Sequence, residues 1–338
     1  MRMKQLGNTG LEISSIGFGG IPIQRLTQPE VNELILKLIE EGVNFIDTAR
    51  AYTVSESYLG EALKGGLRSK FILATKTQAR TYEDMKADIE TSLKDLQTDY
   101  IDLYQCHLLK SRADYDLVMS ENGAYKALLE AKAAGKIRHI GVTAHNAEFL
   151  ESLIDEMPFE TIQFPYNLVE RQAEKLFARA KAKGLGVIVM KPFAGGALDN
   201  ADLALRFILS NDHVDVAIPG MDGLNQVSEN ARFGNAFSPL TEAEYAEADV
   251  IAAALGNQFC RRCGYCLPCV KNIDIPTQFL LEGYLTRYDL KEYANNRYVA
   301  MENKASDCIK CGLCEPRCPY HLPIREMMTR VSEAFAAL

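Results

Sequence analysis

The chain has no tryptophan, only five histidines and 12 prolines among 338 residues. Nowhere does it hold the run of about eighteen apolar residues that a membrane span requires. With 47% hydrophobic and 24% charged residues, its composition excludes a disordered chain. Basic charge is not in excess either: residues 1–256 carry 26 Lys and Arg against 36 Asp and Glu, net −10, and residues 257–338 carry 11 against 9, net +2. Nucleic-acid binding needs a basic stripe to neutralise phosphates, and neither part supplies one. The first thirty residues lack the basic, apolar and small-residue succession of a secretory signal, so a cytoplasmic location with reduced thiols is expected. Also missing is any phosphate-binding glycine loop after a strand: Gly17-Phe18-Gly19-Gly20 has the glycines but not the spacing. There is no internal repeat.

Cysteine is almost absent from the first part. Eight of the nine cysteines follow Gly256, which divides the chain into a body, 1–256, and a thiol-rich tail, 257–338. In the body, short apolar runs alternate with amphipathic stretches: Ile16–Gly20, Asn44–Asp47, Lys70–Thr75, Tyr100–Cys106, Ile137–Thr143, Thr161–Pro165, Gly186–Lys191 and Val214–Pro219. Between them apolar residues recur at three and four, as in Val31, Leu34, Ile35, Leu38 and Ile39, and the stretches end near Gly42, Gly135 and Gly184. Eight such units in this length predict a (β/α)8 TIM barrel of the α/β class rather than an open sheet. Met3–Leu6 and Leu11–Ile13 around Asn8-Thr9-Gly10 predict a hairpin plugging the barrel floor. Helices are expected near Leu224–Phe233 and Glu242–Leu255.

In such a barrel the C-terminal ends of the strands carry the chemistry. Strand two ends in Asp47 with Tyr52 beyond it, strand three in Thr75-Lys76, and strand four in Cys106-His107. A tyrosine titrates near 10, and a neighbouring ammonium stabilises its phenolate. Lys76 is therefore expected to bring the Tyr52 pKa down, with Asp47 holding the lysine and a neutral His107 orienting a carbonyl oxygen. Each residue alone also reads as structure: a buried ion pair, a loop tyrosine, a packed histidine. Cys106 reads as a packed thiol.

The segments Asn44-Phe45-Ile46-Asp47-Thr48-Ala49-Arg50-Ala51-Tyr52, Ala74-Thr75-Lys76 and Asp102-Leu103-Tyr104-Gln105-Cys106-His107 resemble the three catalytic segments of the aldo-keto reductases. The resemblance spans roughly residues 3–235. It implies hydride transfer between a nicotinamide, NADP or NAD, and a carbonyl or alcohol substrate, with Tyr52 as proton donor, Lys76 and Asp47 tuning it, and His107 orienting the carbonyl. It further implies that Thr143 and Gln163 bind the carboxamide, that Met190 with Lys191 and Pro192 replaces an aromatic stacking residue, and that Pro219, Gly220, Gln226, Glu229 and Asn230 flank the adenine, with Gly20 at the first strand end. Ala144 stands where the family often has asparagine, and Gly220 and Gln226 where it often has the basic residues that hold a 2′-phosphate. The loop Leu108–Asn122, with Arg112, Asp114 and Tyr115, is expected to wall the substrate site.

The tail carries Cys260-x2-Cys263-x2-Cys266-x2-Cys269 and Cys308-x2-Cys311-x2-Cys314-x3-Cys318-Pro319. The second is the bacterial ferredoxin run for a 4Fe-4S cluster. The first is one residue shorter before Cys269 and has Val270 where the proline would stand. By the ferredoxin pattern, Cys260, Cys263, Cys266 and Cys318 hold one cluster and Cys269, Cys308, Cys311 and Cys314 a second. Two zinc sites are the alternative, although structural zinc usually takes cysteine pairs separated by a longer loop. Ile275–Tyr284 and Leu290–Tyr298 predict a mainly helical iron–sulfur domain, in which Tyr284, Tyr288, Tyr293 and Tyr298 are core residues and Arg261-Arg262 are solvated.

Three functions fit. One is a hydride-transfer reductase with bracing clusters. Another is a reductase drawing electrons from a carrier protein, through a flavin for which no motif is present. The third is a redox sensor without catalysis. Oligomeric state and the particular carbonyl substrate are silent in the sequence.

Overall fold

The computed structural model describes all 338 residues. Ten strands are present: β1 (Met3–Gln5), β2 (Glu12–Ser14), β3 (Phe18–Gly19), β4 (Phe45–Asp47), β5 (Ile72–Thr77), β6 (Ile101–Leu109), β7 (Ile137–Ala144), β8 (Thr161–Pro165), β9 (Gly186–Met190) and β10 (Val216–Ile218). β3 to β10 form one parallel sheet of eight strands in chain order. Bridges Ile16 to Ala217 and Gly19 to Gly220 join first strand to last, with the Gly17 N–H donating to the Ala217 carbonyl at 2.8 Å. The architecture is the (β/α)8 barrel that the alternation implied, followed by a small helical region.

Each barrel helix forms because its apolar residues fall on one side. In Gln28–Glu40 the stripe Val31, Leu34, Ile35 and Leu38 is buried, Thr27 and Glu30 close a capping box at its start, and Gly42 at φ 75° ends it. Gly135 and Gly184 stop two further helices in the same left-handed way. These faces meet the outer sides of the strands in a core of 65 buried residues, which includes Cys106. Burial pushes the Cys106 thiol up to about 12.

β1 and β2 pair antiparallel and close the floor. From this hairpin Leu6 and Ile13 enter the barrel and pack with Phe45, Ala74, Leu103, Ile188, Val216 and Ile218. Gly186 makes room, since a Cβ there would lie 2.6 Å from Leu6 Cδ1.

After the helix Glu242–Leu255 the chain crosses to the mouth, where helices Ile275–Thr286, Lys291–Val299 and Ile324–Ala336 enclose a second core of 18 buried residues. The third of these is absent from the sequence expectation, although Ile324, Met327, Met328, Val331 and Phe335 have helical spacing and are buried. The segment expected as a substrate-walling loop is instead mostly the helix Arg112–Met119. Tyr115 enters the outer core, Asp114 is held by Arg80, and Arg112 pairs outside with Asp116 and Glu156. No helix is long and apolar enough to cross a membrane.

Candidate active site

The strand ends β4, β5 and β6 bring three of the four expected catalytic side chains to the mouth, and the turn after β4 brings Tyr52. Lys76 and Asp47 are 1% and 2% exposed. The ammonium donates to Asp47 Oδ2 at 2.5 Å and to the Thr48 carbonyl at 2.8 Å. Burial lowers the Lys76 pKa and raises that of Asp47, and in each case the partner's charge opposes the shift. Gln105 completes the floor, donating to Gln163 Oε1 at 2.8 Å and to Asp47 Oδ1 at 3.4 Å.

Tyr52 stands over this pair, its ring centroid 5.0 Å from Lys76 Nζ and 6.4 Å from the His107 ring, edge to face. The sign expected for Tyr52 is reversed. Its pKa lies well above 10, raised first by burial and then by the Asp47 carboxylate, so the phenol keeps its proton. Lys76 is paired with Asp47 and does not bring the Tyr52 pKa down. His107 is held well below the usual histidine range by burial, with Lys76, Arg80, Arg297 and Lys191 adding to the effect. Its Nδ1 is buried without a hydrogen-bond partner, and neither His107 nor Lys76 is among the side chains that line the pocket at Tyr52.

From Asp47 and Tyr52 a pocket runs past Gly20, Gln163, Met190, Lys191 and Pro192 to Gly220 and Gln226, which gathers seven of the expected cofactor residues. Thr143, Pro219, Glu229 and Asn230 are not among its lining. The Thr143 hydroxyl accepts the Leu108 N–H at 2.7 Å, Asn230 is buried, and Glu229 is exposed. Sequence reasoning missed Arg25, Asp222 and the tail residues Tyr284, Arg287 and Tyr288, all of which line the pocket. Gly195 and Gly196, at φ 65° and 79°, let the loop after β9 approach the tail, and Arg287 Nε donates to the Gly195 carbonyl at 2.9 Å. The tail is thus one wall of the pocket. Tyr284 and Tyr288 are core residues and wall residues together.

Arg261 and Arg262 are not solvated. Arg261 is 8% exposed, donates to the Val169 carbonyl at 3.0 Å and stacks on Tyr320. Arg262 donates to the fully buried Glu170 at 2.6 Å, while its backbone N–H points at Cys260 Sγ, 3.4 Å away. Together they bolt the tail to the barrel loop 167–171. Beside them Lys191 Nζ and His145 Nε2 are 3.4 Å apart, and burial lowers both pKa values.

Five thiols, Cys266, Cys269, Cys308, Cys311 and Cys314, line one cavity, closed by Ile273, Ile275, Ile324 and Met328. Cys260, Cys263 and Cys318 adjoin one another, and Cys266 adjoins the first two. No three His, Cys, Asp or Glu side chains converge as ligands of a single ion. An apolar cavity lined by these thiols suits an iron–sulfur cube, in which each of four thiolates takes a different corner.

Comparison with known proteins agrees with both halves. Residues 15–202 match the aldo/keto reductase family and residues 259–323 match a 4Fe-4S dicluster domain. The chain is 29% identical over 280 aligned residues to L-galactose dehydrogenase of Arabidopsis thaliana, covering 68% of this chain and 87% of that protein. To the aldo-keto reductase YhdN of Bacillus subtilis it is 38% identical over 197 residues, 52% of this chain and 56% of that one. Among solved structures, the holo form of aldo-keto reductase AKR11C1 from Bacillus halodurans superposes with a TM-score of 0.64 at 26% identity, covering 75% of this chain and 96% of that chain. The chain belongs to the aldo/keto reductase family of oxidoreductases and carries at its C-terminal end a 4Fe-4S dicluster domain.

Proposed function

We propose that the barrel transfers hydride between a nicotinamide and a carbonyl carbon, with Tyr52 as proton donor, and that the tail holds two 4Fe-4S clusters. One observation carries the reading: a protonated Tyr52, above a buried Lys76–Asp47 pair and beside an orphaned His107 nitrogen, stands at one end of a pocket long enough to reach Gly220 and Gln226. The nicotinamide, when bound, supplies or accepts the hydride. Tyr52 gives its proton to the carbonyl oxygen as the carbon is reduced, and solvent restores that proton. His107, neutral at working pH, orients the carbonyl oxygen. Lys76 holds positive charge close to the tyrosine while the proton leaves.

At the far end the lining favours NADH over NADPH. Asp222 lies there, its N–H bound to Gln226 Oε1 at 2.8 Å, and Arg25 is already paired with the Asp222 carboxylate and with the Tyr288 carbonyl. A ribose 2′-hydroxyl can donate to that carboxylate, whereas a 2′-phosphate dianion meets it as a like charge. Anaerobic purification with assays of iron, sulfide, flavin and nucleotide, followed by NADH and NADPH oxidation with a carbonyl panel, tests these assignments. Absence of nicotinamide oxidation by any carbonyl would overturn the barrel reading, and absence of iron and sulfide the tail reading.

A second reading, electron delivery from a carrier protein, is favoured by one feature. Cys311 is exposed and ringed by Val270, Ile309 and Leu313, each more than half exposed. Apolar residues at the rim of a redox centre suit a transient partner. Clusters that change oxidation state during turnover would support it; clusters that stay fixed would leave them a bracing role.

A further inference from the structure

A second cavity, of about 300 Å³, flanks the catalytic tyrosine and is lined by Ala51, Thr53, Gln78, Tyr293, Asn296 and Arg297. Two of these bracket Tyr52 in sequence, and three come from one tail helix, Lys291–Val299. Arg297 is half-buried and donates to Tyr293 Oη at 2.6 Å, which fixes the guanidinium near that ring. No carboxylate lies within ion-pair distance of it.

The other cations felt at His107 are differently placed. Lys76 is paired with Asp47 and Arg80 with Asp114, and Lys191 faces the Arg262–Glu170 pair. Of the four, Lys191 lines the pocket at Tyr52 beside His145, with its pKa lowered by burial, whereas Arg297 faces this second cavity with no carboxylate partner. Tyr293 holds the guanidinium through one hydrogen bond and leaves further N–H groups for a ligand, and the planar fork matches a carboxylate. Thr53, Gln78 and Asn296 add neutral hydrogen-bonding groups around the same space. This placement stands out because the body around it carries net −10. A neutral carbonyl compound would need no such cation, whereas an anionic one would need it to approach an acidic surface.

Resting on the reductase reading above, we propose that the substrate is an oxo acid, a carbonyl compound whose carboxylate is bound by Arg297 while its carbonyl oxygen meets Tyr52 and His107. Arg297 is then a specificity-determining residue that the tail contributes to the barrel reaction.

The test compares aldehydes and ketones that carry a carboxylate with their primary amides: glyoxylate, succinic semialdehyde and 4-carboxybenzaldehyde, each beside its amide, with uncharged benzaldehyde as control. Holoprotein of verified iron and sulfide content is used throughout. For at least one pair, kcat/KM should favour the acid by about tenfold or more, the worth of one charge-assisted contact. Arg297→Gln should collapse that acid-to-amide ratio through KM, and Arg297→Lys should keep part of it. Independently of turnover, calorimetry with 4-carboxybenzoate and nucleotide-loaded protein should show binding that Arg297→Gln weakens by about tenfold. Benzaldehyde and amides turned over as well as every acid, or an acid preference and benzoate affinity unchanged in Arg297→Gln, would overturn the proposal and leave the reductase reading standing. Failure of all carbonyls, benzaldehyde included, would overturn both.

Discussion

The barrel and the tail solve the same folding problem with different means. The barrel core comprises 65 buried residues, Phe259 of the tail among them, and a further eight lie in the cluster inside the strands. The tail's own apolar cluster has 18 buried residues, two of them the cysteines Cys266 and Cys318, and its helices are connected through loops 257–274 and 300–323 that contain almost no regular structure. A core of that size seldom suffices without staples, so inorganic clusters would supply what apolar burial cannot. On the proposed function, the difference would place chemistry on the part with the larger apolar core and recognition on the part that clusters would staple.

The sharpest way to separate the two is to disable one and leave the other. Tyr52→Phe removes the proton donor, and carbonyl reduction should fall by about 10²- to 10⁴-fold while cluster absorbance and iron content stay as they are. Equal loss of both signals would mean that barrel and tail are not separable. Next, Lys76→Met leaves the Asp47 carboxylate buried without its partner, which should cost about 3–5 kcal/mol in urea unfolding of the barrel. Adding Asp47→Asn should recover much of that loss, and no recovery would show that the pair is not the source.

Removing the clusters by ferricyanide and chelation attacks the other side of the comparison. Protease should then digest the tail and spare the barrel, and NADH affinity should weaken by about tenfold, because Tyr284, Arg287 and Tyr288 no longer wall the pocket. Undiminished affinity would show that the wall is idle. Asp222→Asn should move the NADPH-to-NADH ratio in kcat/KM by about tenfold toward NADPH.

The smallest effect concerns pH. Both His107 and His145 are held well below the usual histidine value, chiefly by burial. The unfolded chain takes up protons at these two positions near pH 6.5 and the folded chain does not. Stability should therefore fall as pH drops below that point, by at most about 1.4 kcal/mol per unit for each histidine. Urea midpoints at pH 7.5 and 5.8 should separate less in His145→Asn than in the parent.

The barrel was legible because each strand is an apolar run bounded by glycine or by a polar catalytic group, and because Asp47, Lys76 and His107 sit at strand ends, where position alone assigns direction. Thiol spacing made the tail legible in the same local way. What escaped is long-range. Nothing in Arg261-Arg262 names Val169 and Glu170, some 90 residues earlier, as their partners, so a solvated pair was the natural expectation. The sign of the Tyr52 shift depends on the depth at which the tail helices bury it, which no spacing encodes. Arg297 reads as an ordinary surface residue until the helix Lys291–Val299 is seen to lie across the mouth. The helix Ile324–Ala336, by contrast, carries its periodicity locally, in Ile324, Met327, Met328, Val331 and Phe335.

The hairpin that seals the floor has a consequence for traffic. With Leu6 and Ile13 filling the far end, the barrel is a cup with one opening, and the tail stands over that opening. The tail meets the loop 191–196 there through Arg287 and Gly195, so the pocket has the tail for one wall and the barrel segments 19–25 and 220–226 for the others. Oxygen, which attacks exposed iron–sulfur clusters, would on this arrangement spare the cup and loosen its cover. A damaged molecule would then keep its acid–base residues in register and leak its nucleotide.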